Sequence, residues 1–321
     1  MRRCLVTGAM GFVGMHLLQR LGTSSADMEV VALGRTAGRA RGGVPNLPNV
    51  RHESLDMLDR AGLETLIDRL KPDWIFHLAS HSSVSQSWVD PIGSFVNNTN
   101  ILLNLLEAVR TRHPAARVLS VGSSEEYGRV AESELPLREQ TELHPTSPYA
   151  VARVSQEQLS RLYCEAFGLH IVMTRSFNHI GPGQRTAFAV PSFLAQLLAL
   201  RERPTSERVL RVGDVSVVRD FTDVRDVVQA YVLLLERGAS GEAYNICSGR
   251  GVSLQQVIDE ACGVLGIEVR VERDTARLRP LENTKLVGSY AKLATATGWA
   301  PRIALSQSLR DMLAHLERGV A

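Results

Sequence analysis

The sequence predicts an α/β protein: a doubly wound parallel sheet with a smaller C-terminal α/β lobe. Three observations carry this. Apolar runs of strand length alternate with helical patterns throughout residues 1–180. Runs such as "CLVTGA" and "DWIFHLAS" are apolar at successive positions, as strands read when helices cover both faces of their sheet. A glycine-rich segment also stands directly between the first strand and the first helix, where a strand–turn–helix unit needs its tightest turn.

The elements follow in order. "CLVTGA" is the first strand, "VGMHLLQRL" the first helix and "MEVVALGR" the second strand. "NVRHESLD" is a weaker third strand, followed by an amphipathic helix from about Asp59 to Leu70. "DWIFHLAS" is the fourth, and "IGSFVNNTNILLNLLEAVRTR" reads as one long helix. "RVLSVGSS" is the fifth strand; a helix opening at Tyr149 and the sixth strand, "HIVMTRSFN", come after it. Past Gly181 the rhythm changes. The short strands "RVLRVG" and "EAYNICSG", helices near Pro191 to Arg201 and Ser253 to Leu265, and a basic stretch near Arg273 to Arg279 indicate a second lobe. Residues 1–180 are thus expected to form a dinucleotide-binding domain and 181–321 mainly a substrate lobe, with 215–245 returning to the main sheet.

Composition sets the outer bounds. With 321 residues, 44% hydrophobic and 22% charged, the chain can bury a large core. A net charge of +2, evenly spread, argues against nucleic acid as a partner. Cys4, Cys164, Cys247 and Cys262 show neither a CxxC pair nor metal-like spacing. Free thiols in a reducing cytoplasm are expected, with no metal. No apolar run reaches membrane-spanning length, and "MRRCLVTGAMGFVG" enters a strand at once, so neither an anchor nor a signal peptide is expected.

"VTGAMGFVG" places Gly8, Gly11 and Gly14 in the first turn. Gly8 permits the turn, Gly11 lets backbone approach a diphosphate, and Gly14 allows close helix–strand packing. The helix N-terminus then offers N–H groups and positive potential to phosphates. This is a Rossmann-type dinucleotide site in expectation. The second strand ends "ALGRT", with Gly34 and Arg35 where an NAD site usually has an acidic residue; Arg39 and Arg41 lie beyond. Arginine suits a 2′-phosphate, so NADP(H) is expected, with NAD(H) as the alternative. Asp56, after the third strand, is placed to meet the adenine amine.

Ser123 closes the fifth strand, and Tyr149 and Arg153 stand four apart on one face of the following helix. A phenol titrates at about 10 and is a poor acid until a nearby cation stabilises the phenolate. With that cation it can protonate a carbonyl oxygen while hydride reaches the carbon, and a serine can hold the same oxygen.

The glycine turn, Ser123 and Tyr149 together resemble the extended short-chain dehydrogenase/reductases over nearly the whole chain, with Tyr-x-x-x-Arg in place of the family's Tyr-x-x-x-Lys. Arg153 keeps the charge but cannot lose its proton, so no relay through a neutral amine can operate. "GSSEEYG", "SPYAVAR", "RSFNHIGPGQ", "VRDFTDVRDVVQAY" and "RLRPLEN" look more narrowly like the GDP-4-keto-6-deoxy-D-mannose reductases, relatives of GDP-mannose 4,6-dehydratase. The resemblance implies NAD(P)H-dependent reduction of a GDP-linked 6-deoxyhexose to GDP-D-rhamnose by a homodimer.

By matching position, it also implies a cofactor set of Phe12, Val13, Met57, Leu78, Ala79, Ser80, Asn98 and Ile180, beside the glycines, Arg35, Asp56, Tyr149 and Arg153. Ser124 and Asn178 would contact the substrate, Arg219 and Arg279 its diphosphate, and Glu282 its ribose. Two departures stand out. Ile101 and Leu102 replace a Gly-Thr pair in the helix carrying Asn98, which is expected to alter packing at the cofactor, and Glu125 occupies the place of the dehydratase's proton-abstracting glutamate. A dehydratase or epimerase, or a nucleotide-binding protein of weak activity, are the alternatives.

Overall fold

Strand β1 (Arg2–Thr7) shows how the layers arise. Cys4 and Val6 face one side, Leu5 faces the other, and all three are buried, so helices must cover both faces. The computed structural model describes residues 1–24, 28–35, 47–277 and 283–319. Helix α1 (Phe12–Ser24) and strand β2 (Met28–Gly34) follow, then β3 (Val50–Ser54), α2 (Arg60–Leu70) and β4 (Trp74–His77). Next come α3 (Val84–Val89), α4 (Pro91–Phe95), a π-helical turn at Val96–Asn100, α5 (Ile101–Arg112) and β5 (Arg117–Ser123). After α6 (Pro148–Phe167), β6 (His170–Ser176) and β7 (Asn178–Ile180), the chain forms α7 (Ala189–Arg201), β8 (Val209–Val212), β9 (Val218–Asp223), α8 (Val224–Arg237) and β10 (Ala243–Ile246). It ends with β11 (Gly251–Ser253), α9 (Leu254–Leu265), β12 (Arg270–Arg273), β13 (Lys285–Leu286), α10 (Ala291–Thr297) and α11 (Leu305–Glu317).

The main sheet has seven strands, all parallel, in the order β10-β6-β5-β4-β1-β2-β3. Leu17 and Leu21 of α1, Val227 and Leu234 of α8, and Leu293 of α10 cover the face of Cys4, Val6 and Phe76. Leu63 of α2, Leu105 of α5 and Tyr163 of α6 cover the face of Leu5, Val31 and Ile75. This is the expected doubly wound arrangement. The strand order reverses between β1 and β4, and a crevice opens outside the carboxyl ends of strands at such a switch point. A separate core of Phe193, Leu197, Val257, Ile258, Leu309 and Met312 holds α7, α9 and α11 together. Beside it lie a β11-β9-β13 sheet, with β7 paired to β9, and a β8-β12 pair.

Two expectations change. "EAYNICSG" forms β10 beside β6 in the main sheet and not in the second lobe. The reason is packing: α8, buried against α1, carries the chain back to the edge of the large sheet. Within 215–245, then, β9 lies in the smaller sheet, while α8 and β10 complete the main layer. The long helix at 91–112 is also interrupted by the π-helical turn, a widening that often accompanies functional positions.

Candidate active site

The glycine turn sits at the end of β1, facing the start of the loop after β4. Gly8 has φ +65°, and a side chain there would stand 2.7 Å from the Ala79 backbone nitrogen. A side chain at Gly14 would stand 2.5 Å from the Ala9 carbonyl oxygen. Only glycine satisfies both places. Gly11 differs, since a side chain there would meet only the Gly8 oxygen, at 3.2 Å. The space above it is otherwise clear, at the helix end where N–H groups lack intrahelical partners. These residues fit a dinucleotide diphosphate. Phe12 stacks on His179 with ring centroids 6.1 Å apart, and His16 reaches the Pro182 carbonyl at 2.9 Å, so the second lobe is docked onto the first turn of α1. No role follows from sequence for these two histidines, although His179 lies within "RSFNHIGPGQ".

Ser123 ends β5, and Tyr149 is the second residue of α6. Ser147 caps that helix by accepting from Ala150 N–H at 3.1 Å, with Pro148 preset at its first position. Arg153, one turn later, is only 4% exposed and lies 5.1 Å from the centre of the Tyr149 ring. It is not turned to solvent. Its Nη1 donates to the Val121 carbonyl at 2.6 Å and to Gln156 Oε1 at 3.0 Å, and its Nη2 donates to Ser80 Oγ at 2.7 Å. The guanidinium therefore ties α6 to β5, two residues before Ser123, and to the loop after β4.

Hydroxyl commitments separate the tyrosines. Tyr127 donates to the Arg138 carbonyl or to Asn245 Oδ1, and Tyr231 pairs with Ser176 Oγ at 3.1 Å. Burial pushes Tyr231 up to about 12. The Tyr149 hydroxyl makes no hydrogen bond to any described residue. Ser123 Oγ accepts from Glu125 N–H at 3.2 Å and has no acceptor among the described residues. Two uncommitted O–H donors and one fixed cation thus share the carboxyl edge of the sheet.

The loop after β4 is held from behind. Asn98 Oδ1 accepts from His81 N–H at 2.7 Å, and its Nδ2 donates to the His81 carbonyl at 3.1 Å. Fully buried, Asn98 shapes the loop that carries Leu78, Ala79 and Ser80, all half-buried. Gln156 links this device to Arg153 by donating to the Asn98 carbonyl at 2.7 Å. Ile101 and Leu102 pack into the core with Ile75 and Leu63. His77, at the end of β4, is fully buried with Nδ1 on Thr7 Oγ1 at 3.0 Å and Nε2 unpartnered. Burial, and then the Arg153 charge, push it down to about 3.

Other residues of the expected cofactor set are more dispersed. Arg35 is exposed directly after β2, as a 2′-phosphate contact requires; Arg39 and Arg41 lie outside the described residues. Asp56 is exposed and its carboxylate accepts from Leu58 N–H at 3.0 Å. Met57 and Ile180 have side chains buried in core clusters. Val13 packs against the α1 core.

In the substrate set, Ser124 is buried beside Ser123 and Asn178 is exposed at the start of β7. Arg219, across the β9 pairing, is mostly buried and donates to the Asn283 carbonyl at 2.9 Å. Arg279 and Glu282 lie outside the described residues.

Comparison with known proteins agrees with this fold. The family model described as GDP-mannose 4,6 dehydratase matches residues 5–312. GDP-6-deoxy-D-mannose reductase of Pseudomonas aeruginosa is 35% identical over 319 residues, covering 99% of this chain and 98% of that protein. Among solved structures, RMD from Pseudomonas aeruginosa complexed with NADPH superposes with a TM-score of 0.85 at 33% identity, covering 99% of this chain and 100% of that one. UDP-glucose 4-epimerase with UDP-glucose from Thermotoga maritima does so with a TM-score of 0.87 at 25% identity, over 99% and 100% of the two chains. With its Rossmann-type sheet and its glycine turn, the chain belongs to the GDP-mannose 4,6-dehydratase family of extended short-chain dehydrogenase/reductases.

Proposed function

We propose that the protein reduces the 4-keto group of GDP-4-keto-6-deoxy-D-mannose to give GDP-D-rhamnose, using NADP(H) in preference to NAD(H). One observation carries this reading. Tyr149 and Ser123 present uncommitted hydroxyls beside a buried, permanently charged Arg153 in a chain alike, end to end, to a reductase. Bound NADPH supplies the hydride. Ser123 donates to the ketone oxygen and fixes its orientation, and Tyr149 delivers the proton to that oxygen. Arg153 stabilises the phenolate left behind, as a cation close to the ring must. It acts by charge alone, since a guanidinium does not deprotonate. Tyr149 therefore regains its proton from solvent, and not from Arg153.

Support for NADP(H) is Arg35 at the end of β2 and the likeness to an NADPH complex. For the substrate, Ser124, Asn178, Arg219, Arg279 and Glu282 are proposed to hold the GDP-sugar. A cytoplasmic setting is supported by four free cysteines. No helix among the described residues is long and apolar enough to cross a membrane. A homodimer is supported by exposed Trp88, Val89 and Ile92 on α3 and α4, and by Val151, Leu162 and Phe167 on neighbouring α6.

A second reading, a dehydratase or epimerase, draws on Glu125, half-buried beside Ser123 and Ser124. Two incubations separate the two. The ketone with NADPH gives GDP-D-rhamnose with one NADPH oxidised per turnover under the first reading. GDP-mannose alone losing water with no NADPH consumed would establish the second.

A further inference from the structure

Beneath this edge lies a carboxyl group that the reductase reading leaves without a task. Glu126 is 0% exposed, in the short 3-10 turn that follows Ser123. Its Oε1 accepts from Ser123 N–H at 2.6 Å, and its Oε2 has no hydrogen-bond partner. Gly122 leaves the space, because a side chain there would run into Oε1. The bond is one half of a capping box whose other half is the Ser123 hydroxyl oxygen, held by the Glu125 N–H. The box pins a lone pair of Ser123 Oγ and leaves its proton free for a substrate.

The charges around Glu126 explain how it can be buried there. Arg175 of β6 approaches Oε2 only to 4.0 Å, and its guanidinium is already taken by Glu157 of α6 through bonds of 2.9 and 2.8 Å. Arg161 of α6 also binds Glu157, at 3.0 Å. Glu126 shares Arg175 with the more closely bound Glu157, whose charge repels its own. Burial, then this repulsion, raise it well above the usual carboxylate range and favour its neutral form. A neutral carboxyl still accepts through one oxygen.

We propose that Glu126 is a positioning residue for the reduction: it closes the capping box around Ser123 and so fixes the hydroxyl that holds the ketone. The proposal rests on the reductase reading for its kinetic consequence, but not for the hold on Ser123 itself. The test uses the full chain with NADPH and GDP-4-keto-6-deoxy-D-mannose at pH 7. Glu126→Leu keeps most of the volume but cannot accept from Ser123. Its kcat is expected to fall about tenfold, as loss of one positioning hydrogen bond implies, with KM and NADPH affinity within about twofold of the wild type. Glu126→Gln, whose amide oxygen can accept, is expected to recover most of that loss.

Unchanged kcat in Glu126→Leu, or a fall that tracks loss of thermal stability and NADPH binding alike, would overturn the proposal. Amide hydrogen exchange of the segment 122–127 reads the hold without turnover. Faster exchange in Glu126→Leu than in the wild type and Glu126→Gln is expected, and equal protection in all three would overturn it. A wild type that exchanges as expected but does not reduce the ketone contradicts the reductase reading alone.

Discussion

Arg153 is where the chain departs most sharply from the pattern it resembles, and the surrounding acceptors are arranged for a guanidinium. Val121 O and Ser80 Oγ receive its two terminal nitrogens, and Gln156 receives one of them again. A lysine's single nitrogen cannot stand at both terminal positions of the guanidinium and must give up at least one of these bonds. Leaving such a buried acceptor unpaired costs about 1–3 kcal/mol. Arg153→Lys should therefore lower kcat about tenfold to a hundredfold when measured with NADPH and the ketone. A gain in turnover would instead mark the arginine as a disabling change. Tyr149→Phe should cost about a hundredfold to ten-thousandfold in kcat, the range for loss of a general acid. NADPH affinity, measured by fluorescence titration, should stay nearly constant. Equal turnover would remove Tyr149 from the role of proton donor.

At the scale of elements, β4 and its loop join the core to the site. His77 ends the strand neutral and buried, with its ordinary value of 6.5 pushed down to about 3. The unfolded chain takes up a proton near the ordinary value, and the folded chain does not. Stability from this group is therefore intact above pH 6.5 and is lost as pH falls toward about 3, by up to about 1.4 kcal/mol per pH unit. Urea unfolding of wild type and His77→Asn at pH 7 and pH 5 checks the sign. The variant should lose less stability on acidification than the wild type, and an equal loss in both would contradict the assignment.

Local elements were legible in the sequence. The glycine turn and the Tyr149–Arg153 pair depend on neighbours within a turn or two. What joins them was not legible. Gln156 meets Asn98 across 58 positions of sequence, and Arg153 meets Ser80 across 73. Glu126 did carry a readable signal, a serine followed three residues later by a glutamate. Its burial, however, comes from β6 and α6, which no local pattern shows.

At the scale of the whole molecule, the second lobe is woven into the first and not appended to it. α8 covers α1 on the main sheet, β10 completes that sheet's edge, and β9, directly before α8 in the chain, belongs to the smaller sheet. The misplacement of "EAYNICSG" came from this, because a strand's sheet is decided by where its preceding helix packs. The same weave puts Asn178 and Arg219 on two paired strands, β7 and β9. Exposed apolar residues on α3, α4 and α6 support pairing with a second copy. Sedimentation should show a dimer, and Leu162→Glu on α6 should shift it to a monomer. A monomeric wild type at micromolar concentration would contradict that assembly.

All scales meet in one transfer, and isotope labelling reads it directly. The protein would be given GDP-4-keto-6-deoxy-D-mannose and NADPH carrying deuterium at the transferable position of the nicotinamide, and the sugar product examined by mass and NMR. One deuterium on carbon 4 of a GDP-D-rhamnose, with one cofactor oxidised per product, is the predicted result. An unlabelled product, or a ketone left unreduced by enzyme that binds NADPH, would contradict it.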